Sequence, residues 1–124
     1  IEWLDPIMIA GNWIPDLLNY VGANDLILKG GKKSSLMNPD EIPLKDFDLV
    51  IFMPCGFKIE KTKEEIKRLN LREIFKGKDM YVVNGDEYFN RPGPTLLESV
   101  KILSEILHPE IFGQRPKKSR WEKL

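Results

Sequence analysis

The residue best able to do covalent chemistry in this sequence is its single cysteine, Cys55, and the single histidine, His108, is the natural base to activate it. Cys55 follows a predicted strand, whereas His108 ends a distant predicted helix. One cysteine and one histidine also fall short of a zinc-binding set. A small buried thiol beside a tight turn is therefore the preferred interpretation of Cys55. We predict no catalytic residue, no metal site and no intrinsic cofactor.

The acidic and glycine-rich patterns lead to the same conclusion. Four acids lie where predicted helices face solvent, and no two of them are placed as a pair for acid–base catalysis: Glu64, Glu65, Glu98 and Glu105. The run Gly30-Gly31-Lys32 lacks the spacing of a phosphate-binding loop, and no GxGxxG motif follows a strand. The sequence therefore favours a binding protein over an enzyme.

Aromatic side chains are concentrated in three segments that each follow a predicted strand. In open parallel sheets, ligands bind beyond the carboxyl ends of the strands, so this placement predicts a surface for a large planar or apolar ligand. The alternative for each aromatic residue is ordinary core packing. The predicted ligand-binding residues are Asn12, Trp13, Pro54, Cys55, Gly56, Phe57, Tyr88, Phe89 and Arg91.

Short apolar runs alternate with helical periodicity along the chain. The predicted strands cover residues 7–10, 25–28, 48–53 and 80–83. The predicted helices begin at Asn12, Thr62 and Thr95, the last two with a Glu three positions later as in a capping box. This order predicts a single three-layer α/β lobe, with an open, mostly parallel sheet flanked by helices in a Rossmann-like arrangement.

Length and charge limit the class of protein. The 124 residues have the size of one domain, which we divide into a lobe over residues 1–112 and a basic tail over residues 113–124 that we expect to be solvated. Nineteen basic residues balance nineteen acidic ones, so no net field favours a nucleic acid partner. No apolar run approaches the length of a membrane span.

Four stretches resemble one family. Residues 2–6 (EWLDP) and 11–18 (GNWIPDLL) resemble the opening of the second lobe in the substrate-binding proteins of ABC importers for cobalamin and iron-siderophores, the class III periplasmic binding proteins. Residues 53–57 (MPCGF) look like a strand-end loop of that lobe. Residues 88–109, from YFNRPGP to LHP, look like its last loop and helix.

The resemblance implies a non-enzymatic solute-binding protein with two α/β lobes and the ligand in the cleft between them. Its transported ligand would be cobalamin, haem or an iron-siderophore, its partner an ABC permease, and its location extracytoplasmic. Tyr88 matches a position that presents an aromatic ring to the corrin, and Asn12, Trp13 and residues 55–57 match cleft-lining loops.

The sequence starts at Ile1 without a signal segment, so we expect Ile1 to lie at the boundary between the two lobes. A single lobe offers one wall of a cleft, which predicts weak binding. The alternative is a truncated lobe that forms a homodimer through the same aromatic rim and carries no transport ligand.

Overall fold

Pairing of the strands produces two small three-stranded sheets among several helices, so the chain has a mixed α/β fold. The computed structural model describes residues 1–24, 27–113 and 120–124. The strands are β1 (Trp3–Leu4), β2 (Ile7–Ile9), β3 (Ser35–Leu36), β4 (Leu49–Phe52), β5 (Asp79–Val83) and β6 (Trp121–Lys123). The helices are α1 (Ile14–Tyr20), a 3₁₀ helix (Pro39–Leu44), α2 (Ile59–Arg68), α3 (Leu71–Ile74), α4 (Gly85–Tyr88), α5 (Leu96–Leu107) and α6 (Pro109–Phe112).

The first sheet, in the order β1-β2-β3, is antiparallel throughout. The sequence predicted its middle strand as a member of a mostly parallel sheet, and that part of the prediction is wrong. Only two residues, Asp5 and Pro6, separate β1 from β2. So short a connection can join antiparallel strands only, because a parallel pair needs a crossover of a dozen residues or more.

The second sheet contains the parallel pair that the sequence predicted. In the order β4-β5-β6, strands β4 and β5 run in the same direction with Val50 opposite Met80 and Phe52 opposite Val82. Strand β4 carries the continuous apolar run typical of a strand covered on both faces.

Alternate residues of this sheet point into two different hydrophobic clusters. Ile51 and Val83 belong to a cluster with residues of α1 and α5, whereas Phe52 and Val82 belong to one with residues of α2 and α3. Both faces of the β4–β5 pair are therefore buried, as their alternating side chains require.

The two sheets are joined through the first residues of the chain. The Ile1 amino group donates to the Ile51 carbonyl oxygen at 2.8 Å, and the Ile1 carbonyl oxygen accepts from the Met53 amide, also at 2.8 Å. The Glu2 carbonyl oxygen accepts from the Cys55 amide at 3.1 Å. The two Ile1 bonds flank Phe52 as in a parallel ladder, so Ile1 runs beside β4, and Glu2 leads the chain into β1.

The end of the chain is part of the core, which corrects the predicted solvated tail for residues 120–124. Strand β6 pairs antiparallel with β5, and Trp121 is 3% exposed. The Trp121 indole donates to Glu105 Oε2 on α5 at 2.8 Å, and Arg120 lies 3.5 Å from Glu105 Oε1. Residues 114–119 of the predicted tail lie outside the described residues.

Two smaller predictions, a strand over residues 25–28 and a helix start at Thr62, also differ from the structure. The predicted strand 25–28 includes Asp25 and Leu26, which lie outside the described residues, and residues 27–28 are not in a strand. Helix α2 begins at Ile59, so Thr62 is inside the helix, where its hydroxyl donates to the Lys58 carbonyl oxygen at 3.0 Å instead of capping a helix start.

Replacement of Trp121 tests the role of the chain end. We expect Trp121→Ala to lower the free energy of unfolding by about 3–5 kcal/mol, because it removes a buried aromatic side chain. Lys123→Ala, on the same strand, breaks one exposed ion pair with Asp79 and should cost about 0–1 kcal/mol. Urea denaturation measures both, and equal small losses would mean that β6 is not part of the core.

Candidate ligand-binding surface

The parallel pairing of β4 and β5 brings two of the three predicted segments together. Both strands end at the same edge of the sheet, and the loop after β4 meets the helix and loop after β5 there. The Cys55 thiol donates to Asn90 Oδ1 at 3.3 Å, and the Asp86 amide donates to the Phe57 carbonyl oxygen at 3.2 Å. We call this edge, residues 54–57 and 84–91, the β4–β5 edge.

Close approach of backbone to backbone holds this edge together. A Cβ built on Gly85 would lie 2.5 Å from the Pro54 carbonyl oxygen and 2.8 Å from the Met53 carbonyl oxygen. Only glycine allows α4 to lie this near the loop after β4. Asn84 starts α4, accepting from the Glu87 amide through its side chain at 3.2 Å.

Cys55 is exposed at this edge, so the predicted burial of its thiol is wrong, but the thiol is not activated. Partial burial and the nearby Glu2 carboxylate raise the pKa of the Cys55 thiol. Both effects disfavour the thiolate, which is the nucleophilic form. The structure therefore gives Cys55 an environment unlike that of a catalytic cysteine.

Tyr88 and Arg91 of the β4–β5 edge differ in how far their side chains are exposed to solvent. Tyr88 is half-buried, and its carbonyl oxygen accepts from the Ser99 hydroxyl of α5. Burial, followed by the hydrogen bond and the charge of the adjacent Glu87 carboxylate, raises the pKa of the Tyr88 phenol. Arg91 is exposed.

Two predicted ligand-binding residues are core residues instead. Phe89 is 2% exposed and belongs to the cluster shared with α5, and the side chain of Pro54 is fully buried. Tyr88 packs against the same cluster as Phe89 but is half-buried, so it keeps part of its surface exposed. Neither Phe89 nor Pro54 offers a side chain to a ligand at the surface.

Asn12 and Trp13 belong to a different set of contacts. The Asn12 backbone is left-handed at φ 56° and bonds to the loop over residues 31–32, its amide donating to the Lys32 carbonyl oxygen at 2.6 Å. Trp13 is half-buried against the cluster that contains Phe89. Asn12 and Trp13 thus contact the loop over residues 31–32 and the core, whereas Cys55 and Phe57 contact the segment after β5.

Two buried hydrogen-bond donors lie in the predicted ligand-binding segments. The Trp13 indole nitrogen and the Asn90 side-chain nitrogen are both buried, and neither has a hydrogen-bond partner among the described residues. Buried polar groups are almost always partnered in folded proteins, so each is a group for which a ligand or water could supply the acceptor.

The first sheet contributes an apolar surface that the sequence analysis did not find. Trp3 lies opposite Met8, and Met8 lies opposite Leu36, so the three side chains share the face opposite the buried one. Trp3 is 37% and Leu36 64% exposed. The Phe57 ring lies against Trp3 with centroids 5.6 Å apart. We call Phe57, Trp3, Met8 and Leu36 the apolar row; it begins at the β4–β5 edge.

The residues of the apolar row are visible in the sequence, but only the register of the strands shows that they share one face.

Comparisons of the chain with protein-family models, with curated proteins and with solved structures found no match. Among the described helices, none has both the length and the apolar character needed to cross a membrane. The described residues also contain no group of three or more side chains arranged to hold a metal ion.

Replacement of Gly85 tests the assembly of the β4–β5 edge. We expect Gly85→Ala to destabilise the fold by about 1–3 kcal/mol, because the added methyl group overlaps the backbone at Met53 and Pro54. The neighbouring exposed variant Asp86→Ala should stay within about 0.5 kcal/mol of the parent. Thermal denaturation of both variants decides the question, and an unchanged Gly85→Ala stability would refute the close packing.

Alkylation of Cys55 tests its electrostatic environment. We expect iodoacetamide to label Cys55 more slowly than an unstructured cysteine at pH 7.5, because the raised pKa keeps the thiol protonated. Glu2→Gln removes the carboxylate charge, lowers the thiol pKa and should speed labelling. Rapid labelling of the parent chain, unaffected by Glu2→Gln, would contradict this description and would support a nucleophilic role for Cys55.

Proposed function

We propose that this chain is a solute-binding lobe of an ABC importer and performs no catalysis. Its ligand would be a large planar molecule or metal chelate, with cobalamin the first choice and haem or an iron-siderophore as related ones. The proposal builds on the family resemblance of residues 2–6, 11–18, 53–57 and 88–109. Its structural support is a single observation: the apolar row begins where the parallel strands end.

The chemistry of this surface suits such a ligand. Phe57, which is half-buried, and Trp3, which is exposed, lie beside one another. Flat aromatic side chains bind a large planar molecule over a wide contact at little cost in conformational entropy. Tyr88, a neutral phenol, and Arg91, an exposed cation, stand at the same edge as polar groups. A few polar groups around an apolar surface are typical of small-molecule sites.

We also propose the finer fold, a three-layer lobe forming half of a two-lobed body. The support is the burial of β4 and β5 on both faces, by clusters that include α1 and α5 on one face and α2 and α3 on the other. In a complete importer component, a facing lobe would close the cleft, a permease would receive the ligand, and the lobe would work outside the cytoplasm.

A second candidate function is self-association through the apolar row. Leu36 is 64% exposed and lies beside Met8, so the row offers apolar area to a second copy of the chain. Sedimentation velocity separates the two functions. A dimer that a ligand does not dissociate would favour self-association over ligand binding.

Titration with cyanocobalamin and with haemin tests the proposed function. We expect saturable 1:1 quenching of tryptophan fluorescence with a dissociation constant of roughly micromolar or weaker, because one wall leaves much of the ligand in water. Phe57→Ala should weaken binding by about tenfold, the effect of losing roughly 1.4 kcal/mol of contact.

Tyr20→Ala is the matched control, because Tyr20 is an aromatic side chain on α1 that is 80% exposed. It should leave the affinity unchanged. Absence of saturable binding to any of the tested ligands, or equal weakening by Tyr20→Ala and Phe57→Ala, would overturn the proposed function.

A further inference from the structure

Helix α2 carries its basic residues on two sides that differ in how their charges are neutralised. On one side, Lys61 and Arg68 both pair with Glu65, at 2.8 Å and 2.7 Å. On the other side, Lys63 and Lys67 are four positions apart, so two like charges share one face of the helix. This second side borders a pocket of about 310 Å³.

The pocket, which we call the α2–α3 pocket, combines cationic and apolar side chains. Ile66 is 2% exposed and belongs to the cluster that contains Phe52, and the half-buried Leu124 packs against the same cluster. None of the lining residues belongs to the β4–β5 edge or to the apolar row, so the pocket is separate from the surface that the proposed function uses. The lining residues are Lys63, Ile66, Lys67, Asn70, Arg72 and Leu124.

Acidic groups neutralise only one of the three cations of this pocket. Lys63 pairs with Glu122 of β6 at 2.7 Å. Among the described residues, no carboxylate, the terminal one of Leu124 included, lies within ion-pair distance of Lys67 or Arg72. Like charges held together without a counter-charge destabilise a fold, and such a cost is typical of sites shaped for binding.

The two uncompensated cations match the charge of a phosphate group. A phosphate monoester carries about 1.5 to 2 negative charges at pH 7 and three acceptor oxygens. The planar guanidinium of Arg72 can donate two parallel hydrogen bonds to such oxygens, whereas Lys67 contributes a point charge. Ile66 and Leu124 add apolar surface for the rest of a ligand. The net charge of zero disfavours an extended polyanion such as a nucleic acid.

We propose that the α2–α3 pocket binds a small organic phosphate. Its phosphate group pairs with Lys67 and Arg72, and its apolar part lies on Ile66 and Leu124. Lys63 contributes less, because Glu122 already balances its charge. The volume of about 310 Å³ is at the low end of the range of small-molecule sites, which fits a small ligand.

Titration with phenyl phosphate and with benzoate, followed by amide chemical shifts at constant ionic strength, tests the pocket. Both probes carry a phenyl ring, but benzoate has a single negative charge. We expect saturable shift changes at Lys67, Asn70 and Arg72, with phenyl phosphate bound about three- to fivefold more tightly than benzoate. Inorganic phosphate should bind more weakly than phenyl phosphate, because it lacks the apolar part. Equal affinities for benzoate and phenyl phosphate would overturn the assignment to a phosphate.

Two substitutions on the surface of the chain test which cations bind the phosphate. Arg72→Gln should weaken the binding of phenyl phosphate by about three- to fivefold, because it removes one of the two uncompensated charges. Arg68→Gln is the matched control, since Arg68 lies on the other side of α2 and pairs with Glu65, and it should leave the affinity unchanged. Equal weakening by the two variants, or shift changes that sodium chloride reproduces, would overturn the proposal.

A phospholipid headgroup carries the same chemical group, and cosedimentation with vesicles of phosphatidylcholine and phosphatidic acid separates the two sources. We expect no cosedimentation, because the chain has no net positive charge to hold it at an anionic surface. Cosedimentation that Arg72→Gln abolishes would assign the α2–α3 pocket to a lipid surface and would overturn its assignment to a small molecule.

Discussion

The parallel hydrogen-bonded pairing of β4 and β5 is the interaction on which the rest of the structure depends. It forces two connections, far apart in the sequence, to leave the sheet at the same edge, where Cys55 meets Asn90. The paired strands carry apolar side chains on both faces of the sheet, and helices cover both sides. Core and candidate surface thus have one physical origin.

Additions to both sides of this pair complete the fold. Strand β6 pairs with β5, and Trp121 fixes it to α5 through Glu105. On the other side, Ile1 bonds to Ile51 of β4 and Glu2 bonds to the Cys55 amide after it, so the chain enters the first sheet with Trp3 next to Phe57. The apolar row is therefore a consequence of where the first residues pair.

An element could be predicted from the sequence where the residues that define it lie within one segment of the chain. Strand β4 and helix α5 were predicted because their apolar patterns lie within single segments. Strand β6 was missed, since its place depends on pairing with β5, and its one buried aromatic, Trp121, gives no periodic signal. The apolar row was missed for a similar reason: only strand register aligns Trp3, Met8 and Leu36.

The central claim is that a large planar ligand binds where the β4–β5 edge meets the apolar row. Amide chemical-shift mapping of the isotope-labelled chain with cyanocobalamin tests it most directly. We predict that the largest shift changes fall on Trp3, Cys55, Phe57 and Asn90. Changes confined to the α2–α3 pocket, or no concentration-dependent changes at all, would contradict the account.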